Sequence, residues 1–204
     1  MRLTYGHTQI WLVRLIQSMD REPVIYTPRL ELHHLSVTEI ISLFETPEAP
    51  WIYEGKGFTN PHRELVDSSG PLAWRVPQVK VEPQLNKWFV RWIVLKESRE
   101  IIGSSSFHGA PDKNGMIEIG LGVCSKFQRQ GFAYEALAGM WGWVCTQEGV
   151  KTLRYTVAAS NTASIALVNK FGFAHIGQQM DEVDGPEEIY ELRAEKFMES
   201  VFWI

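Results

Sequence analysis

The chain has 204 residues, which is enough for one domain with a sizeable hydrophobic core. Its apolar content of 45% and charged content of 22% are typical of a folded globular protein. The net charge of −4 argues against a general nucleic-acid-binding surface and is compatible with a cationic substrate.

The cysteine, histidine and hydropathy patterns argue against several other classes of protein. Cys124 and Cys145 belong to no metal-spaced cluster and make no disulfide framework, so we expect two reduced thiols in a cytoplasmic protein. The six histidines also lack metal spacing. No apolar run approaches the ~20 residues needed to cross a bilayer. The sequence therefore predicts neither a metal site nor a membrane-spanning segment.

Residues 1–22 are interpreted as an N-terminal extension of a domain that covers residues 23–198. Ile10, Val13 and Ile16 give this extension a short helical pattern. We expect it to pack either on the body of the domain or on a partner chain, and the second case would make a homodimer. A different reading takes Met19 as the natural start of the protein.

The first regular elements are a strand and a capped helix. Apolar residues alternate with polar ones over Val24–Leu35, which predicts a strand. Ser36 is then expected to cap a helix over Val37–Phe44. Glu39 stands at the third helical position, as in a capping box.

A proline-rich segment separates these elements from the rest of the sheet. Residues 46–87 are predicted to be irregular, with one helix near Pro61–Asp67. A loop region of this length inside a compact domain is usually functional or mobile. Three strands in succession then predict an antiparallel meander: Trp88–Leu95, Ile101–His108 and Met116–Val123.

The turn after the third strand of the meander lacks the usual capping residue. Gln128, Arg129, Gln130 and Gly131 stand where Asp, Ser or Thr would normally cap the following helix. A helix start leaves about four backbone N–H groups without partners and carries a partial positive charge. Because an uncapped start beside a glycine suits a bound phosphate, we interpret this turn as a site for the pyrophosphate of a cofactor.

The remaining elements alternate between helices and strands. A long helix is expected after Gly131 and a second one, capped by Asn161 or Ser160, over Thr162–Phe171. The strands are expected at Thr152–Ala158, Phe173–Met180 and Glu187–Leu192. This order of helices and strands predicts an α/β fold with a mixed, mostly antiparallel central sheet of about seven strands and flanking helices.

Two motifs lie on these elements, and their spacing matches that of one known protein family. The first is Gln128-x-x-Gly131-x-Ala133, and the second is Asn161-x-x-Ser164 followed by Asn169-Lys170-Phe171-Gly172-Phe173. Together they resemble the GCN5-related N-acetyltransferase (GNAT) family. Thr27-Pro28-Arg29-Leu30-Glu31-Leu32 resembles the first strand of the branch that acetylates the N-termini of ribosomal proteins. The resemblance covers roughly residues 24–197.

This resemblance implies acetyl-CoA as the cosubstrate. Backbone N–H groups from Gln128 to Ala133 would ring its pyrophosphate, and Gly131 would let the backbone approach a phosphate without a Cβ clash. In the family, the strand before the turn splays from its neighbour and pairs with the pantetheine arm. The residues assigned to the cofactor are Leu121, Gly122, Val123, Gln128, Arg129, Gln130, Gly131, Phe132, Ala133, Asn161, Ser164 and Lys170. Asn161 could instead cap its helix, and Lys170 could instead be a solvated lysine.

Acetyl transfer needs a neutral amine and help for the leaving thiolate. The resemblance makes Glu118 the first candidate for the catalytic base, acting through water, with Asp181 and Glu182 as alternatives. Val168 stands where many relatives carry a tyrosine as the general acid, so the resemblance gives that role to Ser164. Glu118 could equally be a structural carboxylate that bonds a loop, and Ser164 could bond the backbone or the pantetheine.

The acceptor would enter from the opposite side of the splayed strands, between residues 46–87 and the loop near 181–187. The candidate contacts there are Trp51, Tyr53, Glu54 and Trp74, unless these side chains simply pack the loops. An acetyl group would pass to the amine by direct attack in a ternary complex. The acceptor is either a protein N-terminus or a small amine, such as a polyamine, an aminoglycoside or an amino-acid derivative. Because the tyrosine is absent at position 168, a non-catalytic acetyl-CoA-binding regulatory module is kept as a third hypothesis.

Overall fold

A computed structural model describes residues 21–181 and 185–201 of the chain. Residues 1–20 of the N-terminal extension, with the helical pattern expected there, and Glu182 lie outside these residues. The strands are β1 (Ile25–Tyr26), β2 (Leu30–His34), β3 (Arg91–Leu95), β4 (Glu100–Phe107), β5 (Met116–Val123), β6 (Thr152–Ala158), β7 (Ala174–Asp181) and β8 (Gly185–Arg193). The helices are α1 (Val37–Glu45), α2 (Leu72–Val81), α3 (Phe132–Cys145), α4 (Thr162–Lys170) and α5 (Ala194–Val201).

The eight strands of the described chain form one mixed sheet in the order β1-β2-β3-β4-β5-β6-β8-β7. Neighbouring strands are antiparallel except for β5 and β6, which are parallel. The α/β fold with a mostly antiparallel sheet is therefore confirmed. There are eight strands rather than about seven because a turn divides the predicted first strand, where the N–H of Thr27 donates to the carbonyl of Leu30 at 3.0 Å.

The hydrophobic core lies on both faces of the sheet. All five residues of the central strand β3 are buried, as expected for a strand covered on both sides. Ile93 packs in a cluster with residues of α3 and with Phe197 of α5. Trp92 and Val94 belong to a second cluster, which includes residues of α1 and α2. The sheet is thus sandwiched between α3 and α5 on one face and α1 and α2 on the other.

The proline-rich segment contains more regular structure than the sequence indicates, and its helix was predicted in the wrong place. Within residues 61–67, Arg63 and Leu65 have φ angles of 54° and 61°, which no right-handed helix can contain. The helix of this segment is α2 instead, at Leu72–Val81. Pro77 lies inside α2, and a proline within a helical pattern normally indicates a break.

The helix α1 was predicted from the sequence and the helix α5 was not, and each outcome has a clear reason. The capping box of α1 is confirmed, because the Ser36 side chain accepts from the N–H of Glu39 and the Glu39 carboxylate accepts from the N–H of Ser36. The helix α5 was missed. It begins at Ala194, directly after the last residue of β8, so no turn residue marks its start.

The strands β5 and β6 separate part of the way along their length. They pair through Met116, Ile117 and Glu118, whose partners are Thr152, Leu153 and Arg154. From Ile119 to Val123, β5 pairs with β4 alone. The splay expected for the strand before the turn is therefore present, and it leaves a gap between β5 and β6.

Candidate active site

The start of α3 lies beside this gap and has no side-chain cap. Gly131 is the N-cap residue with φ 84°, a conformation that favours glycine. Within the described part of the chain, the backbone N–H groups of residues 129–133 have no hydrogen-bond acceptor. Five donors without acceptors and the positive end of a helix therefore lie in one turn, which is a suitable environment for an anion.

The side chains of the turn fix its shape instead of capping the helix. The Gln128 side-chain amide donates to the carbonyl of Val123 at 2.9 Å, and that of Gln130 donates to the carbonyl of Lys126 at 2.9 Å. Arg129 has a φ of 59° and an exposed side chain. Phe132 is buried in the core, whereas Ala133 is half-buried. The turn therefore offers its backbone and the Arg129 guanidinium to the outside.

A second arginine reaches the same turn from the start of β2, and sequence analysis gave it no role at the site. Arg29 donates through Nη1 to the carbonyl of Gln130 at 3.0 Å and through Nε to Glu135 at 2.6 Å. Its guanidinium lies 4.4 Å from the centre of the Phe132 ring. The Thr27 hydroxyl also donates to Glu135, at 2.6 Å. This network ties the edge of the sheet to the first turn of α3.

The strand segment expected to meet the pantetheine pairs closely with β4. Leu121, Gly122 and Val123 lie opposite Ser105, Ser104 and Gly103. A Cβ on Gly103 would lie 2.2 Å from the Gly122 carbonyl oxygen, so only a glycine permits this approach of the two backbones. Gly122 is exposed toward the gap, with Leu121 and Val123 half-buried.

Three predicted residues lie on α4, the helix that follows β6, or at its N-cap. The Asn161 side-chain oxygen caps α4 by accepting from the N–H of Ser164 at 3.1 Å. The Ser164 side chain neighbours the phenol of Tyr155, a residue on β6. Lys170, at the end of α4, lies with its Nζ 4.4 Å from the centre of the Tyr134 ring. Val168 is fully buried in the core and presents no side chain to the gap.

Glu118 stands where the pairing of β5 with β6 ends. Its Oε1 accepts a hydrogen bond from the Thr156 hydroxyl of β6. The same Oε1 lies 3.4 Å from Nδ1 of His108, and the side chain of Glu118 is 15% exposed. The carboxylate is thus held between two polar side chains.

A cavity of about 1080 Å³ opens beside Glu118, between the segment that contains α2 and the strands β4 and β5. Glu64, Asp67, Glu118, Asp181 and Glu187 line it with carboxylates. The other polar or charged residues of its lining are His62, Arg63, Ser68, Arg75, Gln78, Ser104, Ser105, Ser106, His108, Thr156 and Gln179.

The predicted acceptor contacts divide between this cavity and the packing around it. Trp74 lines the cavity and is 60% exposed. Trp51, Tyr53 and Glu54 do not line it. Tyr53 stacks on Trp92, with ring centres 5.6 Å apart, and therefore packs the segment in which it lies.

Arg75 is a buried cation in the cavity wall that sequence analysis also missed. It donates to the Ser106 hydroxyl at 3.3 Å and to the Gln78 side-chain oxygen at 2.9 Å. Burial lowers the pKa of Arg75 to about 10, and the charge of Glu118 acts in the opposite direction. The guanidinium is still a cation at neutral pH and balances part of the acidic lining.

The two predicted catalytic residues lie on opposite faces of the sheet. Successive side chains of a strand point to opposite faces. On β6, Thr156 bonds Glu118 on the cavity face, while Tyr155 lies beside Ser164 on the face covered by α3. Glu118 and Ser164 therefore flank the gap between β5 and β6 from its two sides.

The register of the β4–β5 hairpin is the signal that could have found His108. The turn at residues 111–115 places Phe107 opposite Ile119, and the N–H of His108 then donates to the carbonyl of Glu118 at 2.9 Å. Arg75 had no such signal, because it belongs to the helix that the sequence placed elsewhere.

The residues that the structure describes contain neither a membrane-spanning helix nor a cluster of metal-binding side chains. In residues 21–181 and 185–201, no helix is long and apolar enough to cross a membrane. The same residues contain no group of three or more His, Cys, Asp or Glu side chains arranged to hold a metal ion.

A mixed sheet that splays beside an uncapped helix start, with a polar cavity behind it, is the arrangement that the resemblance to the acyl-transferring GNAT family leads us to expect. The profile of the acetyltransferase (GNAT) domain matches residues 29–174, and the chain belongs to this family. The resemblance to the GNAT family is thereby confirmed.

Similar proteins in two bacilli carry acetyltransferase names. The uncharacterized N-acetyltransferase YjdG of Bacillus subtilis (strain 168) is 33% identical over 97 residues, which cover 47% of this chain and 58% of that protein. The uncharacterized N-acetyltransferase p20 of Bacillus licheniformis is 26% identical over 160 residues, 77% of this chain and 85% of that protein. The aligned part of the chain thus spans little more than half of YjdG and most of p20.

Solved structures share the fold at low sequence identity. A putative ribosomal-protein-serine acetyltransferase from Vibrio cholerae has a TM-score of 0.58 at 16% identity, over 84% of this chain and 98% of that one. The spermidine N-acetyltransferase SpeG chimera from Vibrio cholerae and hSSAT has a TM-score of 0.58 at 14% identity, over 83% and 98%. The ribosomal-protein acetyltransferase RimL in complex with coenzyme A has a TM-score of 0.57 at 16% identity, over 84% and 98%. At such identities the likeness shows the fold, and it confirms the expected GNAT-like architecture.

Proposed function

We propose that this protein transfers an acetyl group from acetyl-CoA to a primary amine by direct attack in a ternary complex. The observation that carries the proposal is the gap between β5 and β6. An anion-binding helix start lies beside it, and an acidic cavity opens at Glu118, where the gap begins. The family of the chain and the complex of RimL with coenzyme A support the same cosubstrate.

The described residues fit acetyl-CoA at each part of that molecule. The free N–H groups of residues 129–133 suit its pyrophosphate, and Arg129 adds positive charge near them. The edge of β5 at residues 121–123, unpaired on its β6 side, suits the amides of the pantetheine arm. We assign the nucleotide end to Lys170.

The cysteines are poor nucleophiles, which favours direct attack over an acetyl-enzyme. Burial raises the pKa of Cys124 to about 11, and the neighbouring carboxylate of Glu64 acts in the same direction. Burial alone raises the pKa of Cys145 to about 11. Since the thiolate is the reactive form of cysteine, both side chains are inert at neutral pH.

The chemistry of the cavity favours an acceptor with a positively charged amine. Five carboxylates line it against two arginines: Arg75, and Arg63, which Glu48 and Asp67 hold at 2.7 Å and 2.6 Å. A cavity of about 1080 Å³ accommodates either a peptide N-terminus or a polyamine. Names among the structural neighbours cover both acceptors, a ribosomal protein and spermidine, so we propose a protein N-terminal or a small-molecule amine.

One calorimetric experiment and one kinetic experiment test the proposal. Titration with acetyl-CoA should show binding, and an absence of binding at millimolar acetyl-CoA would overturn it. Release of the CoA thiol should then be followed with spermidine and with a peptide that begins with serine. Binding without thiol release on any amine of a broad panel would support the non-catalytic regulatory module instead.

Compartment and assembly are further parts of the proposal. Two free cysteines, Cys124 and Cys145, suit a reducing compartment such as the cytoplasm. A homodimer is tested by measuring the mass of the full chain in solution, and a monomeric mass at micromolar protein would contradict it.

A further inference from the structure

His108 lies at the end of β4, directly across from Glu118. The two residues are joined by a backbone hydrogen bond of 2.9 Å from the His108 N–H to the Glu118 carbonyl. Their side chains also meet, with Nδ1 of His108 at 3.4 Å from Oε1 of Glu118. A carboxylate at this ring nitrogen favours the tautomer that carries the proton on Nδ1, which leaves the lone pair on Nε2.

The other ring nitrogen of His108 points into the cavity over the backbone of β5. A Cβ built on Gly120 would lie 3.2 Å from Nε2, so this atom sits directly above Gly120. Gly120 belongs to the part of β5 that no longer pairs with β6, and both residues line the cavity. The lone pair of Nε2 is therefore available beside the gap where the acetyl group would enter.

We propose that His108 is the base that takes the proton from the acceptor amine, and that Glu118 is its positioning residue. This inference rests on the proposed acetyl transfer and deepens it. Glu118 is less suited to act alone, because its Oε1 accepts from Thr156 and faces His108, and its side chain is 15% exposed against 46% for His108. Thr156 holds the carboxylate, and the carboxylate lies within ion-pair range of the ring.

Desolvation keeps the ring of His108 neutral at physiological pH, against the opposing effect of two nearby carboxylates. Burial lowers the pKa of His108 below its ordinary value of 6.5. The charge of Glu118 on β5 raises this pKa, that of Arg75 on α2 lowers it, and that of Asp181 on β7 raises it. A neutral imidazole at pH 7 can accept a proton, as a base near its working pH should.

The proposed step is balanced in protons and bonds. An acceptor that arrives as an ammonium gives one proton to Nε2 of His108, and that proton later passes to solvent. The neutral nitrogen forms a bond to the acetyl carbon while the carbon–sulfur bond breaks. The second proton lost by the nitrogen is matched by the one that the CoA thiolate gains. The products are the acetylated amine, the free thiol and one released proton.

The tautomer of His108 can be measured without any acceptor. In ¹⁵N NMR of the wild-type protein, we expect Nε2 of His108 to be the unprotonated nitrogen above pH 7, with a ring pKa below 6.5. In Glu118→Gln the pKa of His108 should fall further, because a nearby anion is removed. A proton on Nε2 in the wild-type protein would overturn the inference.

A matched pair of histidine variants tests the role in turnover. His175 also faces a glutamate, with Nε2 at 2.5 Å from Glu188, but it lies on β7 outside the cavity lining. We expect His108→Gln to lower kcat by about 100-fold or more and to remove the acidic limb of the pH profile. His175→Gln should leave both unchanged.

Binding of acetyl-CoA separates this inference from the proposed function. His108→Gln should bind acetyl-CoA as the wild type does, because the ring lies on the acceptor side of β5. A His108→Gln protein that keeps wild-type kcat and the acidic limb would overturn the inference and leave acetyl transfer standing. A wild-type protein that fails to bind acetyl-CoA would instead defeat the proposed function, while the tautomer of His108 could still be measured.

Discussion

Glu118 and Arg154 form the last residue pair that joins β5 to β6. At this pair the parallel ladder stops, so the backbone of β5 is free for a bound molecule just where a carboxylate enters the cavity. One feature of strand pairing thus positions both halves of the proposed reaction. The edge of β5 that has no β6 partner begins immediately after Glu118. The side chain of Glu118 lines the proposed acceptor cavity.

Gly131→Ala should weaken acetyl-CoA binding. With φ at 84°, alanine costs roughly 1–2 kcal/mol at this position, and its Cβ would lie 3.3 Å from Nη2 of Arg29. A turn that relaxes away from this conformation loses at least one charge-assisted hydrogen bond to the pyrophosphate. We expect a Kd about tenfold higher or more by calorimetry.

Gly142→Ala is the matched control in the same helix. A Cβ at Gly142 would meet no heavy atom within 4 Å, and alanine is favoured over glycine inside a helix by about 1 kcal/mol. Its Kd for acetyl-CoA should equal that of the wild type. Equal affinities for all three proteins would show that the left-handed conformation at Gly131 does not serve the cofactor.

The sequence predicted the elements that have strong local signals. The capping box at Ser36, the limits of β5 and β6 and the Asn161 cap of α4 depend on neighbouring residues, and the structure has them as predicted. The uncapped start of α3 at Gly131 was read in the same way, from the absence of a capping side chain.

The parts of the site that sequence analysis missed depend on contacts between distant segments. Arg29 meets Glu135, which is 106 residues away in the sequence, and Ser106 meets Arg75 across 31 residues. Local propensity carries no information about such pairs. The helix predicted near Pro61–Asp67 was wrong for a different reason. The positive φ of Arg63 has no signal in the local composition.

Glu135→Gln should destabilise the protein at neutral pH. Burial raises the pKa of Glu135, but hydrogen bonds from Thr27 and Arg29 outweigh it and hold the pKa below its ordinary value of 4.5. Because the folded-state pKa is depressed, the stabilisation is present above the ordinary value and is lost as the pH falls through the folded-state pKa. At pH 7 we expect a loss of about 1–3 kcal/mol in the free energy of unfolding, measured with urea.

The pH dependence and a surface control make this prediction specific. The difference between wild type and Glu135→Gln should shrink steadily as the pH is lowered below 4.5. Glu45→Gln removes a carboxylate from an ion pair with Lys80 in which both side chains are about half exposed, and it should cost less than about 1 kcal/mol. Equal losses for the two variants at pH 7 would contradict the role given to the Thr27–Arg29–Glu135 network.

Ser164→Ala and Tyr155→Phe together test whether Ser164 protonates the leaving thiolate. The side chains of Ser164 and Tyr155 are neighbours, so each variant removes one hydroxyl from the same spot. A serine that acts as the general acid must keep its own hydroxyl, whereas Tyr155 is not required for that proton. We therefore expect Ser164→Ala to lower kcat by about 100-fold and Tyr155→Phe to keep most of it, with Kd for acetyl-CoA unchanged in both. Thiol release measured at saturating acceptor gives kcat, and a Ser164→Ala protein with wild-type kcat would reduce Ser164 to a structural partner of Tyr155.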